Sequence, residues 1–178
     1  IAEIQNNHPN MSVAGPYYMD QIDDIKKTIA EQQLDIVPVE GQELDEEQQT
    51  ALDDAIAQIT DEDIYNYILE MNPDVKGIFA TNGDTTMQAL TACEGKDMKD
   101  VVIMGYDADQ EEIDAMKDGR IAGMIVQNPY GMGYATVVAE ARCVLNMGNE
   151  ANVNTGYTWV TPDNIEDRTV QDILYAEK

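Results

Sequence analysis

The chain has 178 residues, enough for one domain with a sizeable core and short for two full ones. Ten Lys and Arg stand against 35 Asp and Glu, a net charge of −25. That balance excludes nucleic acid as the main partner, because phosphates need cations to neutralise them, and it repels an anionic membrane surface. A hydrophobic content of 43% removes the chain from the disordered class, and its longest apolar runs, such as residues 101–104, fall far short of a bilayer span.

In chain order, short β-rich runs alternate with amphipathic stretches. The chain opens at Ile1 inside a helix-like stretch (residues 2–5), with no initiator Met and no visible leader, so a trimmed or processed product is expected. Residues 11–14 form an apolar run closed by Gly15-Pro16, a turn signal. Ile22, Ile25 and Ile29 follow at helical spacing, with Asp23, Asp24, Lys26 and Lys27 on the other side. Residues 34–39 read as a second strand whose Pro38 places it at an edge or a strand end. A helix carrying Leu52, Ile56 and Ile59 comes next. Thr60 with Asp63 is a capping pair that restarts a helix bearing Ile64, Ile68 and Met71, and Asn72-Pro73 stops it.

The second half is more regular. Residues 75–80 predict a strand, Asn82-Gly83 a turn, and Asp84 the N-cap of a helix with Met87, Leu90 and Cys93. Residues 101–105 are a continuous apolar run, expected of a strand buried on both faces. Asp109 opens a short helix (Ile113, Met116) that Gly119 ends. Residues 121–126 predict another strand. Asn128-Pro129 is an N-cap with proline in the first helical position. The helix after it puts Tyr134, Val137, Val138, Ala141, Val144 and Leu145 on one face expected to be core, and stops at Gly148. Five strand–helix alternations predict an α/β fold, a three-layer α/β/α parallel sheet formed by a single lobe over residues 1–178. Ligands of such sheets bind beyond the carboxyl ends of the strands, here residues 80–84, 105–109 and 126–129, which are polar and nearly free of Lys and Arg. None is a phosphate-cradling glycine loop.

Rare residues narrow the chemistry. A Ser–His–Asp hydrolase would have to use Ser12 with His8, without a nucleophile elbow. Cys93 and Cys143 are fifty positions apart and unaccompanied, which argues against a zinc site; they could form one disulfide outside the cell, but both fall on helical stretches and buried thiols are the favoured expectation. Asp107, Asp109 and Glu111 echo the start of a calcium loop, but Glu112 stands where that loop needs Gly. No catalytic residue, metal or cofactor is expected.

Three motifs carry a family resemblance. Asn72-Pro73-Asp74-Val75-Lys76-Gly77-Ile78-Phe79-Ala80-Thr81-Asn82-Gly83-Asp84, then Val101-Val102-Ile103-Met104-Gly105-Tyr106-Asp107, then Val126-Gln127-Asn128-Pro129-Tyr130-Gly131-Met132-Gly133 resemble the C-terminal lobe of type I periplasmic sugar-binding proteins. The resemblance is strong over residues 72–164 and limited to strand–helix order before that. It implies a non-catalytic, extracytoplasmic receptor, periplasmic or a cell-surface lipoprotein, that closes with an N-terminal lobe absent from this chain over a sugar and docks on an ABC transporter permease. By position it assigns sugar contacts to Asn82, Asp107 and Gln127. The chemistry agrees: a hydroxyl both donates and accepts, so a polyol pocket needs a carboxylate beside amides. The arginine that many members carry in the first helix of this lobe is missing, and Tyr17-Tyr18-Met19-Asp20-Gln21 stands there instead, with Tyr17 or Tyr18 available to stack on a sugar. Trp159 is expected to pack on the surface near the hinge rather than to serve as a sugar platform. The alternative from another class is the effector-binding domain of a lactose-repressor-type regulator, although Lys99-Asp100-Val101 lacks the proline usual there. A flavodoxin-like enzyme is a third reading, without a phosphate loop to support it.

Overall fold

The computed structural model describes residues 19–37, 39, 43–150 and 152–174. The chain divides into two compact units, residues 1–75 and 76–178. In the first, the described elements are the helices α1 (Met19–Gln33), α2 (Glu46–Gln58) and α3 (Asp61–Met71). The predicted spacing of Ile22, Ile25 and Ile29 turns that face of α1 inward, where Ile29 joins Ile59 and Ile64 in one apolar cluster. Both later helices begin with reciprocal caps. Asp45 accepts the Gln48 N–H at 2.8 Å, and Thr60 Oγ1 accepts the Asp63 N–H at 3.3 Å while Asp63 accepts the Thr60 N–H at 2.8 Å.

The strand expected at residues 34–39 is not formed in its described part. Asp35 takes a left-handed φ of 54°, and the Ile36 N–H bonds back to Glu31 O at 2.8 Å, so the segment is used to end α1. Pro38 has no N–H to give a ladder. The expected helical start at residues 2–5, the strand at 11–14, and His8, Ser12, Tyr17 and Tyr18 lie outside the described residues.

The second unit runs β1 (Gly77–Phe79), α4 (Gly83–Gly95), β2 (Val102–Tyr106), α5 (Gln110–Lys117), β3 (Gly123–Gln127), α6 (Pro129–Val144), β4 (Tyr157–Val160) and α7 (Arg168–Gln171). Its sheet has the order β1-β2-β3-β4. The first three strands are parallel, as the crossover spacing predicts, and each falls within two residues of its expected bounds. The fourth, absent from the sequence reading, is antiparallel to β3, with Gln127 opposite Tyr157 and Ile125 opposite Trp159. The sheet is therefore mixed. Asn128 Nδ2 donates to Thr155 O at 3.0 Å, which ties the chain entering β4 to the end of β3.

The core of this unit joins Ile103, Met124, Val126 and Val160 of the sheet to Leu90 and Cys93 of α4 and Ile113 and Met116 of α5, all buried. Helix α4 lies so close to β2 that a Cβ on Gly105 would sit 2.6 Å from Thr86 Cγ2. Helix α6 differs. It ends at Val144, not at Gly148, and none of its residues is buried. Tyr134, Val137, Val138, Val144 and Leu145 are exposed, so the face expected to be core is open among the described residues. Cys143 on that helix is accordingly exposed, against the expectation, while Cys93 is buried; both are free thiols. Trp159 lies across Gly123, where a Cβ would meet its ring at 2.5 Å. No described helix is long and apolar enough to cross a membrane.

Candidate functional site

Three polar side chains converge at the carboxyl ends of the parallel strands: Asn82 after β1, Asp107 after β2 and Gln127 at the end of β3. Asp107 is the centre. The Gln127 Nε2 donates to its Oδ1 at 3.2 Å, and the Gly83 N–H at the head of α4 donates to its Oδ2 at 3.3 Å. Each carboxylate oxygen has a second lone pair, so acceptor capacity remains once these bonds are made. The carboxylate is half-buried, which strengthens any bond it makes to a ligand hydroxyl.

Its backbone is strained. Asp107 has a φ of 75°, in the left-handed region that favours glycine. The surroundings enforce it: the Asp107 N–H donates to Ile125 O at 3.0 Å, and Ala108 beside it is fully buried. Strain of this kind persists where the neighbours over-determine it, and it gathers at binding sites.

Asn82, rather than the expected Asp84, is the N-cap of α4. Its φ of −159° is extended, its Oδ1 accepts the Thr85 N–H at 2.9 Å, and Asp84 falls inside the first turn, where its charge suits the positive helix end. Asn82 is exposed, and its Nδ2 is not engaged by this cap. The rim so assembled offers carboxylate acceptors beside amide donors, with no Lys or Arg among these three loops. It suits a neutral polyhydroxyl solute and not a phosphate.

Two residues of this assembly escaped sequence reasoning. Thr86 is fully buried, donates to Asn82 O at 2.7 Å and accepts the Tyr106 N–H at 3.3 Å, which ties the first two loops together. Glu112 is fully buried behind the same loops. Asp109 and Glu112 together spell a capping box, and that spacing was the available signal. Among the described residues, no group of three or more His, Cys, Asp or Glu is placed to hold a metal ion.

Parallel strands with helical crossovers and a polar rim at their carboxyl ends define an α/β binding domain. The sequence profile of the periplasmic binding protein domain matches residues 12–142, and the chain belongs to that family. The ribose import binding protein RbsB of Salmonella typhimurium is 35% identical over 66 residues, which are 37% of this chain and 22% of that protein. The Haemophilus influenzae RbsB is 31% identical over 86 residues, 48% of this chain and 29% of that protein. Among solved structures, an ABC transporter solute-binding protein from Agrobacterium vitis with bound D-fucose is similar with a TM-score of 0.58 at 21% identity, covering 86% of this chain and 62% of that one. A Brachyspira murdochii protein described as "ABC transporter, LacI family transcriptional regulator" gives 0.56 at 25% identity, over 65% of this chain and 40% of that one. The chain thus spans less than two thirds of the proteins it matches.

Proposed function

We propose that this chain is the C-terminal, ligand-binding lobe of a non-catalytic, extracytoplasmic sugar receptor that serves an ABC importer. The observation that carries it is Asp107, a carboxylate fixed in a strained backbone between Gln127 and Gly83 at the strand-end rim. In this reading Asp107 accepts two sugar hydroxyls, and the amides of Asn82 and Gln127 supply the donors. A second, N-terminal lobe closes over the opposite face of the sugar, and the closed form engages the permease. The ribose import binding relatives and the fucose-bound structural neighbour support the substrate class. The open apolar face of α6 supports a missing lobe, since a contiguous exposed apolar patch marks a surface that packs on something.

The test is calorimetry and a thermal-shift screen of monosaccharides on the full-length parent, with Asp107→Asn as the probe. Asn keeps one acceptor oxygen, so the loss of one charge-assisted bond, about 1.5–3 kcal/mol, should weaken binding about 10- to 150-fold. The isolated chain, holding half of the contacts, should bind weakly or below detection; tight binding by it alone contradicts the two-lobe reading. The likeness to the Brachyspira murdochii protein keeps a second reading in view, an effector-binding domain of a lactose-repressor-type regulator. A helix-turn-helix upstream in the parent gene decides for the regulator, and a secretion signal for the receptor.

A further inference from the structure

Glu112 occupies the third position of α5 and closes a reciprocal cap with Asp109. Its Oε2 accepts the Asp109 N–H at 3.1 Å, and its own N–H donates to Asp109 Oδ1 at 3.3 Å. Capping carboxylates ordinarily sit at the surface. This one is fully buried and turned toward the head of α4, where its Oε2 lies 3.3 Å from the place a Cβ would take on Gly83. The same Gly83 donates its N–H to Asp107. The carboxyl of Glu112 therefore fills the space directly behind the hydrogen bond that joins the first two loops of the rim.

One oxygen of that carboxyl is bare. Oε1 is enclosed and has no hydrogen-bond partner among the described residues. An ionised carboxylate in that position is disfavoured, whereas the neutral acid suits the packing. Burial is the largest influence on its titration, and the charges of Asp109 and Asp107 act in the same direction. The Asp109 N–H opposes them, and the carboxyl is pushed up to about 7. The charged neighbours that bear on it, Asp107 and Asp109, both come from the turn between β2 and α5. From α4 it meets the uncharged Gly83 and Thr86, with Asp84 exposed.

We propose that Glu112 is a proton-operated positioning residue for the binding rim: as the neutral acid it braces the head of α4 against the β2–α5 turn, and its ionisation loosens that brace so that ligand affinity falls. The proton goes to bulk water, and the resulting anion, enclosed beside Asp107 and Asp109, draws water in and separates the two loops. The link to affinity rests on the receptor reading; the bracing itself does not.

The experiment has two arms. In the first, NMR of this chain follows the Glu112 side-chain carboxyl and the backbone amides of Gly83 and Asp107 between pH 4 and 9, in the natural sequence and in Glu112→Gln. A carboxyl midpoint of about 7, shared by both amides and abolished in Glu112→Gln, is the expected result. A carboxyl midpoint near its ordinary 4.5, or an amide midpoint that survives the substitution, overturns the proposal. Should Glu112→Gln fail to fold, the carboxyl titration of the natural chain decides alone. In the second arm, monosaccharide affinity of the full-length parent should fall about fivefold or more from pH 6 to pH 8 and stay flat in Glu112→Gln. An unchanged affinity across that range in the natural protein overturns the coupling. Absence of any sugar binding, with the first arm as expected, upholds the brace and removes the receptor reading instead.

Discussion

Helices α5 and α6 begin alike. Each has an Asx cap whose side-chain oxygen accepts the N–H three residues on, from Glu112 at 3.3 Å and from Gly131 at 2.8 Å. Beyond the first turn they part. Four of the eight residues of α5 are buried, including Ile113 and Met116, whereas none of the sixteen in α6 is. Helix α6 is the more apolar of the two and α5 the more sharply one-sided, so an apolar composition and a cap set where a helix forms without ensuring that it is buried. What covers it is decided by the rest of the chain. The exposed stripe of α6 and the closed core around α5 are thus a working measure of which contacts this chain makes by itself.

The comparison breaks most readily in the core of α5. Met116→Ala should lower stability by about 2–5 kcal/mol in urea unfolding, because it empties a fully buried site. A change below about 1 kcal/mol would mean that α5 is no better packed than α6.

Next in size is a pH effect at the buried end of the same helix. The folded protein holds the Glu112 proton up to about 7, while the unfolded chain releases it near 4.5. The contribution of the neutral acid is therefore complete below about 4.5 and lost as pH rises through about 7. Glu112→Gln, which cannot ionise, should match the natural chain at pH 4.5 and exceed it at pH 8 by up to about 3 kcal/mol, the equivalent of that displacement. Equal stabilities at pH 8 would place Glu112 in contact with water.

Smaller still is the cap of α6. Asn128→Ala removes the bond to Gly131 and the tie to Thr155, and should cost about 1 kcal/mol. Smallest is Val137→Ala on the open face, expected to stay within about 0.5 kcal/mol in this chain. A cost of 1 kcal/mol or more for that change in the full-length parent alone would sharpen the comparison, since it would show the face covered there.

Much of the fold is legible in local chemistry. The apolar runs at residues 101–105 and 121–126 mark β2 and β3, and Thr60, Asp109 and Asn128 each cap the helix that their position announces. Failures arise where a distant partner decides. Residues 34–39 have strand composition, but residues 34–36 end a helix instead, with Asp35 in a left-handed turn. The fourth strand pairs with β3 far along the chain, and the Asn128–Thr155 bond at its start spans 27 positions and leaves no periodic trace. At the rim, strand order alone puts Asn82, Asp107 and Gln127 at the same end of the sheet; the structure bonds Gln127 to Asp107 and joins Asp107 to Gly83, the neighbour of Asn82. The strained backbone of Asp107 and the inward turn of Glu112 are not readable, since both follow from how the loops press on one another.

The left-handed conformation of Asp107 sets evolution's two demands against each other. Asp107→Gly would relieve the backbone by about 1 kcal/mol, yet it would also take the acceptor away from the Gln127 amide and the Gly83 N–H. A laboratory selection for heat resistance alone would therefore find little to gain at this position, because the same side chain that strains its own backbone fastens its neighbours.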